Sequence, residues 1–362
     1  MTPLIQTILE IILGIGLLFG GGELFVQGAT TLAVLFGIPQ LVIGLTIVSL
    51  GTSAPEFFVS VGSFFKSSDA IAISNVVGSN IFNVLVVLGS SALVMPLKVE
   101  SRLVKRDIPL LLAVSAAVWG MASSGTITWQ SGLALLLALA INTIWEIRTA
   151  REEPQQIKEA EPEINVSIES NAWTKAFSGI LLGIILLGIG SNVLITGAKS
   201  LASSYNWSEE IIGLTIVSAG TSMPELVTSL VAALRGRTDL AIGNVVGSSL
   251  LNQLLVLGSC GIFAGSKGIN VEEVLINKDF PIMLLVTLAC MPIFWTKGRI
   301  SRQEGGFLLS LYILYLIDQI LPLTQSTLQD EFRLIVVCFI LPISLIIIIF
   351  KTLKYWNFLR MS

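Results

Sequence analysis

The sequence predicts an all-α polytopic membrane protein: two inverted five-helix repeats plus one extra C-terminal helix, about 11 transmembrane helices in all. Three observations predict it. Of 362 residues, 53% are hydrophobic and 12% charged, about half the charged share of a soluble domain and too few polar side chains to cover a water-facing surface. Apolar runs of roughly 20 residues, the length that crosses a hydrocarbon core, recur along the whole chain. Finally, one long segment occurs twice, with an odd number of such runs between its copies.

Taken in order, the candidate spans are 4–34, 40–65, 69–94, 107–124, 126–148, 173–203, 210–234, 238–263, 279–297, 303–321 and 332–352. They divide the chain into a first repeat, 1–148, a linker, 149–172, a second repeat, 173–321, and a C-terminal helix and tail, 322–362. The first and sixth spans exceed what a membrane needs and carry Gly14, Gly16, Gly20, Gly21 and Gly22, or Gly183, Gly188, Gly190 and Gly197, which predicts tilt and close helix contact. The first run is long enough to remain as a span, and no Lys or Arg precedes it, so no cleaved signal peptide is expected. Between Arg151 and Asn171 lie six glutamates and two prolines, the composition of a solvated tether. With the N-terminus outside, sixteen Lys and Arg fall on inside segments and five (Lys66, Lys199, Lys267, Lys278 and Arg333) on the other side. The positive-inside rule therefore favours a cytoplasmic linker and C-terminus, in the cell (inner) membrane.

Composition also excludes functions. Histidine is absent, which removes imidazole zinc sites and Ser/His or Cys/His nucleophile pairs. Cys260, Cys290 and Cys338 lie in or beside apolar runs without CxxC spacing and read as small core hydrophobes. A net charge of −3 gives no hint of a nucleic-acid partner. No enzyme and no cofactor is expected; the membrane lipid is the evident partner, and the sequence leaves the oligomeric state open, a monomer being compatible with it.

Residues 44–89 and 213–258 align without a gap at an offset of 169 and match at 24 of 46 positions. The offset continues upstream, pairing Gly28 with Gly197, Ala29 with Ala198 and Leu32 with Leu201. Five spans separate equivalent helices. Because five is odd, the halves enter the membrane from opposite sides, and inverted repeats are a mark of secondary transporters.

Polar residues gather where the bilayer tolerates them least. A carboxylate at a helix centre costs roughly 2.5–3.5 kcal/mol on insertion scales, so Glu56 and Glu225 in mid-span need a reason. Each follows a proline, Pro55 or Pro224, which removes an amide donor and predicts a kink with freed carbonyls beside the carboxylate. Thr52, Ser53, Thr221 and Ser222 precede the glutamates by three or four residues, and the next helices carry Asn75, Ser79, Asn80 and Asn83, or Asn244, Ser248, Ser249 and Asn252. Two carboxylates among neutral oxygens describe a site for a hard cation, calcium or sodium. Bonding between neighbouring helices is the other use of such hydroxyls and amides. Glu23, whose repeat partner is Asn192, reads as a gating or interface contact, and Asp107, Glu146, Asp279 and Asp318 read as solvated groups near span ends.

The duplicated segments GTSAPE (51–56) with GTSMPE (220–225), and SNVVGS (74–79) with GNVVGS (243–248), resemble the two alpha repeats of the calcium/cation antiporter superfamily, most closely its prokaryotic sodium/calcium exchanger branch. The resemblance covers roughly residues 1–320. It implies a midplane site on helices two, three, seven and eight, with Glu56 and Glu225 as shared ligands of calcium and sodium. By motif position it adds Thr52, Ser53, Ser79, Asn83, Thr221, Ser222, Ser248 and Asn252. It also implies that helices one and six slide against the rest during alternating access. Two positions depart from the pattern: Asn252 stands where many such exchangers carry an acid, and position 74 is Ser where the other repeat has Gly243.

The expected function is antiport of calcium against sodium by alternating access. A calcium/proton exchanger using protonation of the same glutamates, a potassium-dependent exchanger and a cation channel are the alternatives. An intramembrane enzyme would have only the paired acids to work with, without histidine or a GxSxG motif.

Overall fold

The computed structural model describes residues 3–35, 49–99, 102–152, 172–236, 238–295, 298–324 and 326–335. The start of the second predicted span, the acidic linker, Cys338 and most of the eleventh span lie outside them. Among the described residues six helices are long and apolar enough to cross a membrane, and a bent pair makes a seventh. Helix α1 is Pro3–Leu35; α2, Ser49–Thr52, and α3, Ala54–Phe65, are separated by a break at Ser53; α4 is Asp69–Val94. Then come α5, Ile108–Ala122, and α6, Trp129–Glu152. In the second half α7 is Ala172–Tyr205; α8, Glu209–Thr221, and α9, Met223–Leu234, meet at a 45° bend; α10 starts at Thr238 and runs to Ala264. Finally α11 is Phe280–Trp295, α12 Arg302–Thr324 and α13 Ser326–Ile335. The predicted spans at 107–124 and 279–297 thus appear as shorter helices, each entered through a π-helical turn, Leu103–Asp107 or Leu275–Asp279.

The glycines of α1 and α7 form their contact. Gly14, Gly21 and Gly28 recur every seven residues, as do Gly183, Gly190 and Gly197, so each set lies along one face. A methyl group built on Gly21 would come within 2.9 Å of Leu187 N, and one on Gly190 within 2.9 Å of Leu18 N. Only hydrogen at these positions lets the two backbones touch.

Short antiparallel ribbons join connections that the eleven-span reading puts on one face. Strand β1, Leu97–Lys98, pairs with β4, Arg299–Ile300; β2, Thr126–Ile127, pairs with β3, Ile269–Asn270. On the β2–β3 side Asp69 accepts the Asn270 amide at 3.1 Å. There Lys66 also donates to the Asn192 carbonyl of α7 at 3.2 Å.

The duplication extends further than a gapless alignment reveals. Residues 103–109, LVKRDIP, match 275–281, LINKDFP, at an offset of 172, and the same offset pairs Glu146 with Asp318. Both copies build an ionic tie between helices. Arg106 contacts Asp107 at 2.9 Å and Glu146 at 3.6 Å, while Lys278 contacts Asp318 at 2.8 Å. The reading of these acids as solvated surface groups is corrected here, most plainly for Asp279. It is fully buried, and it accepts hydrogen bonds from Gln319 Nε2 at 2.6 Å and Tyr315 Oη at 3.2 Å because α12 covers it.

Candidate cation site

Proline sets the local geometry. Pro55 and Pro224 sit in the first turn of α3 and α9, where a missing amide is harmless; two residues earlier the chain breaks at Ser53 and Ser222. Each break delivers a serine hydroxyl and a glutamate carboxylate at the same level. Glu56 and Glu225 are both fully buried.

The bonding crosses between the halves. Ser222 Oγ donates to Glu56 Oε1 at 2.8 Å, and Ser53 Oγ to Glu225 Oε1 at 3.3 Å. Thr52 reaches Asn244 Oδ1 at 3.4 Å, and its equivalent Thr221 reaches Asn75 Oδ1 at 3.2 Å. Asn75 and Asn244 in turn donate to the backbone carbonyls of Glu56 and Glu225 at 3.4 and 3.3 Å, and to Ser60 and Ser229 at 3.0 Å each. These asparagines are positioning residues, held by bonds that fix the carboxylate-bearing helices.

What remains is a set of buried oxygens with nothing to bond. Oε2 of Glu56, Oε2 of Glu225, Oγ of Ser79 and Ser248, and both amide atoms of Asn83 and Asn252 lack a hydrogen-bond partner. Leaving such groups unpaired costs about 1–3 kcal/mol each, and more for a charge. These six residues are among the ten singled out in the sequence, and Asn80 Oδ1, Ser249 Oγ and Gln253 Oε1 on the same two helices are likewise buried without a partner. Asn83 and Asn252 also begin π-helical segments, Asn83–Val87 and Asn252–Leu257, a widening common at functional sites.

Other flagged residues stand apart. Glu23 is exposed and bonds Gln27 of its own helix at 3.2 Å, while Asn192 meets the neighbouring helix through its carbonyl. Ser74 is a packing residue: it donates to the Ala70 carbonyl, and its Oγ fills the space beside Gly213, where an added methyl would lie 1.8 Å away. Among the described residues no three of Cys, Asp and Glu cluster as a metal-binding group. Any cation here meets two carboxylates and neutral oxygens, a donor set suited to sodium or calcium and unsuited to soft metals.

The family model described as sodium/calcium exchanger protein matches residues 7–148 and 175–321. The chain belongs to the sodium/calcium exchanger family. Among curated relatives, sodium/calcium exchanger MaX1 of Methanosarcina acetivorans is 30% identical over 342 residues, covering 85% of this chain and 97% of the relative. Inner membrane protein YrbG of Escherichia coli is 29% identical over 319 residues, covering 86% and 97%. Among solved structures, the sodium-calcium exchanger NCX_Mj soaked with 10 mM Na+ and zero Ca2+ is 29% identical, with a TM-score of 0.60 over 86% of this chain and 98% of that one. The break between the two matched regions falls on the acidic linker, so each half of this exchanger carries one match. Members of this family are membrane-embedded exchangers that move cations.

Proposed function

We propose that this exchanger moves calcium across the membrane against sodium, by alternating access at a site built on Glu56 and Glu225. Thr52, Ser53, Ser79, Asn83, Thr221, Ser222, Ser248 and Asn252 complete the ligand set. The N-terminus lies outside and the C-terminus in the cytoplasm of the inner membrane. The observation that carries this reading is a pair of fully buried carboxylates from opposite halves, each bonded to a serine of the other half through one oxygen and left unpartnered at the other.

Coupling follows from electrostatics. Two carboxylates in a low-dielectric interior repel each other and lack the solvation that water would give them. A cation supplies what is missing, and calcium and sodium draw on the same few oxygens, so the two occupancies exclude each other. The empty site resists isomerising, whereas either loaded site is neutralised enough to change its exposure. Differential stabilisation of loaded over empty states is what couples the two fluxes.

The test is calcium flux from calcium-loaded proteoliposomes under an imposed sodium gradient, with potassium and proton gradients as separate arms. Sodium alone should drive calcium movement, and E56Q or E225Q should abolish it. Unchanged flux in either variant would sink the assignment. Flux driven only by the proton gradient would replace sodium with protons at the same carboxylates.

A further inference from the structure

We propose that the face carrying β1 and β4 binds the headgroup of an anionic phospholipid. Lys98 and Arg299 are register partners in this ribbon, and both are exposed while Leu97 and Ile300 turn inward. Like charges directly opposite one another on paired strands are destabilising. Neither side chain has a hydrogen bond or an ion pair among the described residues. Four residues on, Arg102 keeps a buried Nε without a hydrogen-bond partner, its nearest acid being Asp107 at 3.9 Å, and its guanidinium lies 5.6 Å from the Trp145 ring.

Three acids described on this face are already committed. Asp107 and Glu146 are taken by Arg106, and Glu304 accepts from the Ser301 amide and hydroxyl at 2.7 and 2.8 Å. The repeat provides an internal comparison. At the equivalent cluster on the other face, Asp318 holds both Lys278 at 2.8 Å and Arg333 at 2.7 Å, so no cationic surplus arises there. The fold therefore does not demand the surplus on the β1–β4 face.

Position argues for a lipid as the occupant. Ile144 and Trp145 at the end of α6, and Leu93 and Val94 at the end of α4, are 40–50% exposed, as side chains facing acyl chains would be. Arg302 Nη2 is tied to the Val94 carbonyl at 3.2 Å, which sets a cation at the boundary of that apolar surface. Cations just beyond the apolar zone, beside an interfacial Trp, meet headgroups at the depth where anionic lipids carry their phosphate.

The experiment titrates the purified full-length chain in detergent with phosphatidylglycerol or phosphatidylcholine and reads bound lipid by native mass spectrometry. Wild type should hold phosphatidylglycerol at least about 25-fold more tightly than phosphatidylcholine. Each basic residue near an anionic headgroup contributes about fivefold in affinity, so K98Q/R299Q should bind phosphatidylglycerol about 25-fold more weakly. Phosphatidylcholine binding should stay unchanged. Both residues are exposed, and relief of their repulsion should leave the melting temperature at or above wild type. K66Q/K199Q, on the β2–β3 face, should bind phosphatidylglycerol as wild type does. Equal retention of both lipids by wild type, full retention by K98Q/R299Q, or an equal loss in K66Q/K199Q would overturn the proposal.

Discussion

Gly78 and Gly247 are equivalent in the repeat, yet the structure assigns them different costs. A methyl group at Gly78 would lie 2.6 Å from the Leu214 carbonyl oxygen and 2.7 Å from Ser218 Oγ, whereas at Gly247 the nearest atom is Ser49 Oγ at 3.4 Å. The first is overlap with the backbone of α8, which must move away; the second is ordinary contact. Overpacking costs typically about 1–3 kcal/mol, and replacing a mid-helix glycine by alanine returns roughly 0.5–1 kcal/mol. G78A should therefore lose about 1–2 kcal/mol net, while G247A should be neutral or gain up to about 1 kcal/mol. At a few degrees per kcal/mol, the two melting temperatures in detergent should differ by about 5 °C, with G78A the lower. Because Gly78 precedes Ser79, G78A should also weaken calcium-induced stabilisation. Equal melting temperatures for the two variants would refute the claim that α4 and α8 meet backbone to backbone at Gly78.

Three further outcomes follow from the same geometry. N83A and N252A remove buried amides whose atoms bond nothing, so each variant, without sodium or calcium, should melt at or above wild type while the rise on adding calcium shrinks. Destabilisation without ions would mean that the amides hold helices together. G213A should lower the melting temperature through its clash with Ser74, and the double variant S74G/G213A should recover most of the loss; failure of that rescue would remove Ser74 as the obstacle. Asp279 accepts from two neutral donors, whereas Asp318 balances two cations, so thermal melting should show D279N near wild type and D318N lower by several degrees.

The helical membrane class and the equivalence of the two buried glutamates were legible in the sequence because the chain repeats itself without a gap around them. A gapless offset made Glu56 and Glu225 equivalent, and the proline before each foretold the breaks at Ser53 and Ser222. Alignment pairs equivalent residues, however, and the structure pairs different ones: Ser53 bonds Glu225 and Ser222 bonds Glu56, contacts that depend on how two helix breaks face each other. The π-helical segments at Asn83 and Asn252 have no compositional mark, since they change hydrogen-bond register and not residue type. The second set of equivalent charges was hidden by arithmetic. The connection before Leu275 is three residues longer than that before Leu103, so the offset shifts to 172 and a fixed-offset comparison stops short of Asp107 and Asp279. Burial of Asp279 was illegible for another reason: distance from a span end says nothing about which neighbouring helix caps it.

Duplication alone would give two sites, one per half, each with its own carboxylate. The structure joins them instead, because the two helix breaks meet across the halves. Each carboxylate then takes its serine from the opposite half, and each threonine takes its asparagine there too, at 3.4 and 3.2 Å. Neither half contains all the bonds of its own carboxylate. Ser53 without Glu225 is a hydroxyl at a helix break, and Glu225 without Ser53 is a buried carboxylate with one bond fewer. A conformational change that moved one half's break away from the other would dismantle both carboxylate environments at once. Under the proposed function, that shared dependence is what a single cation bound across the seam would use to bias the whole bundle and not merely one repeat.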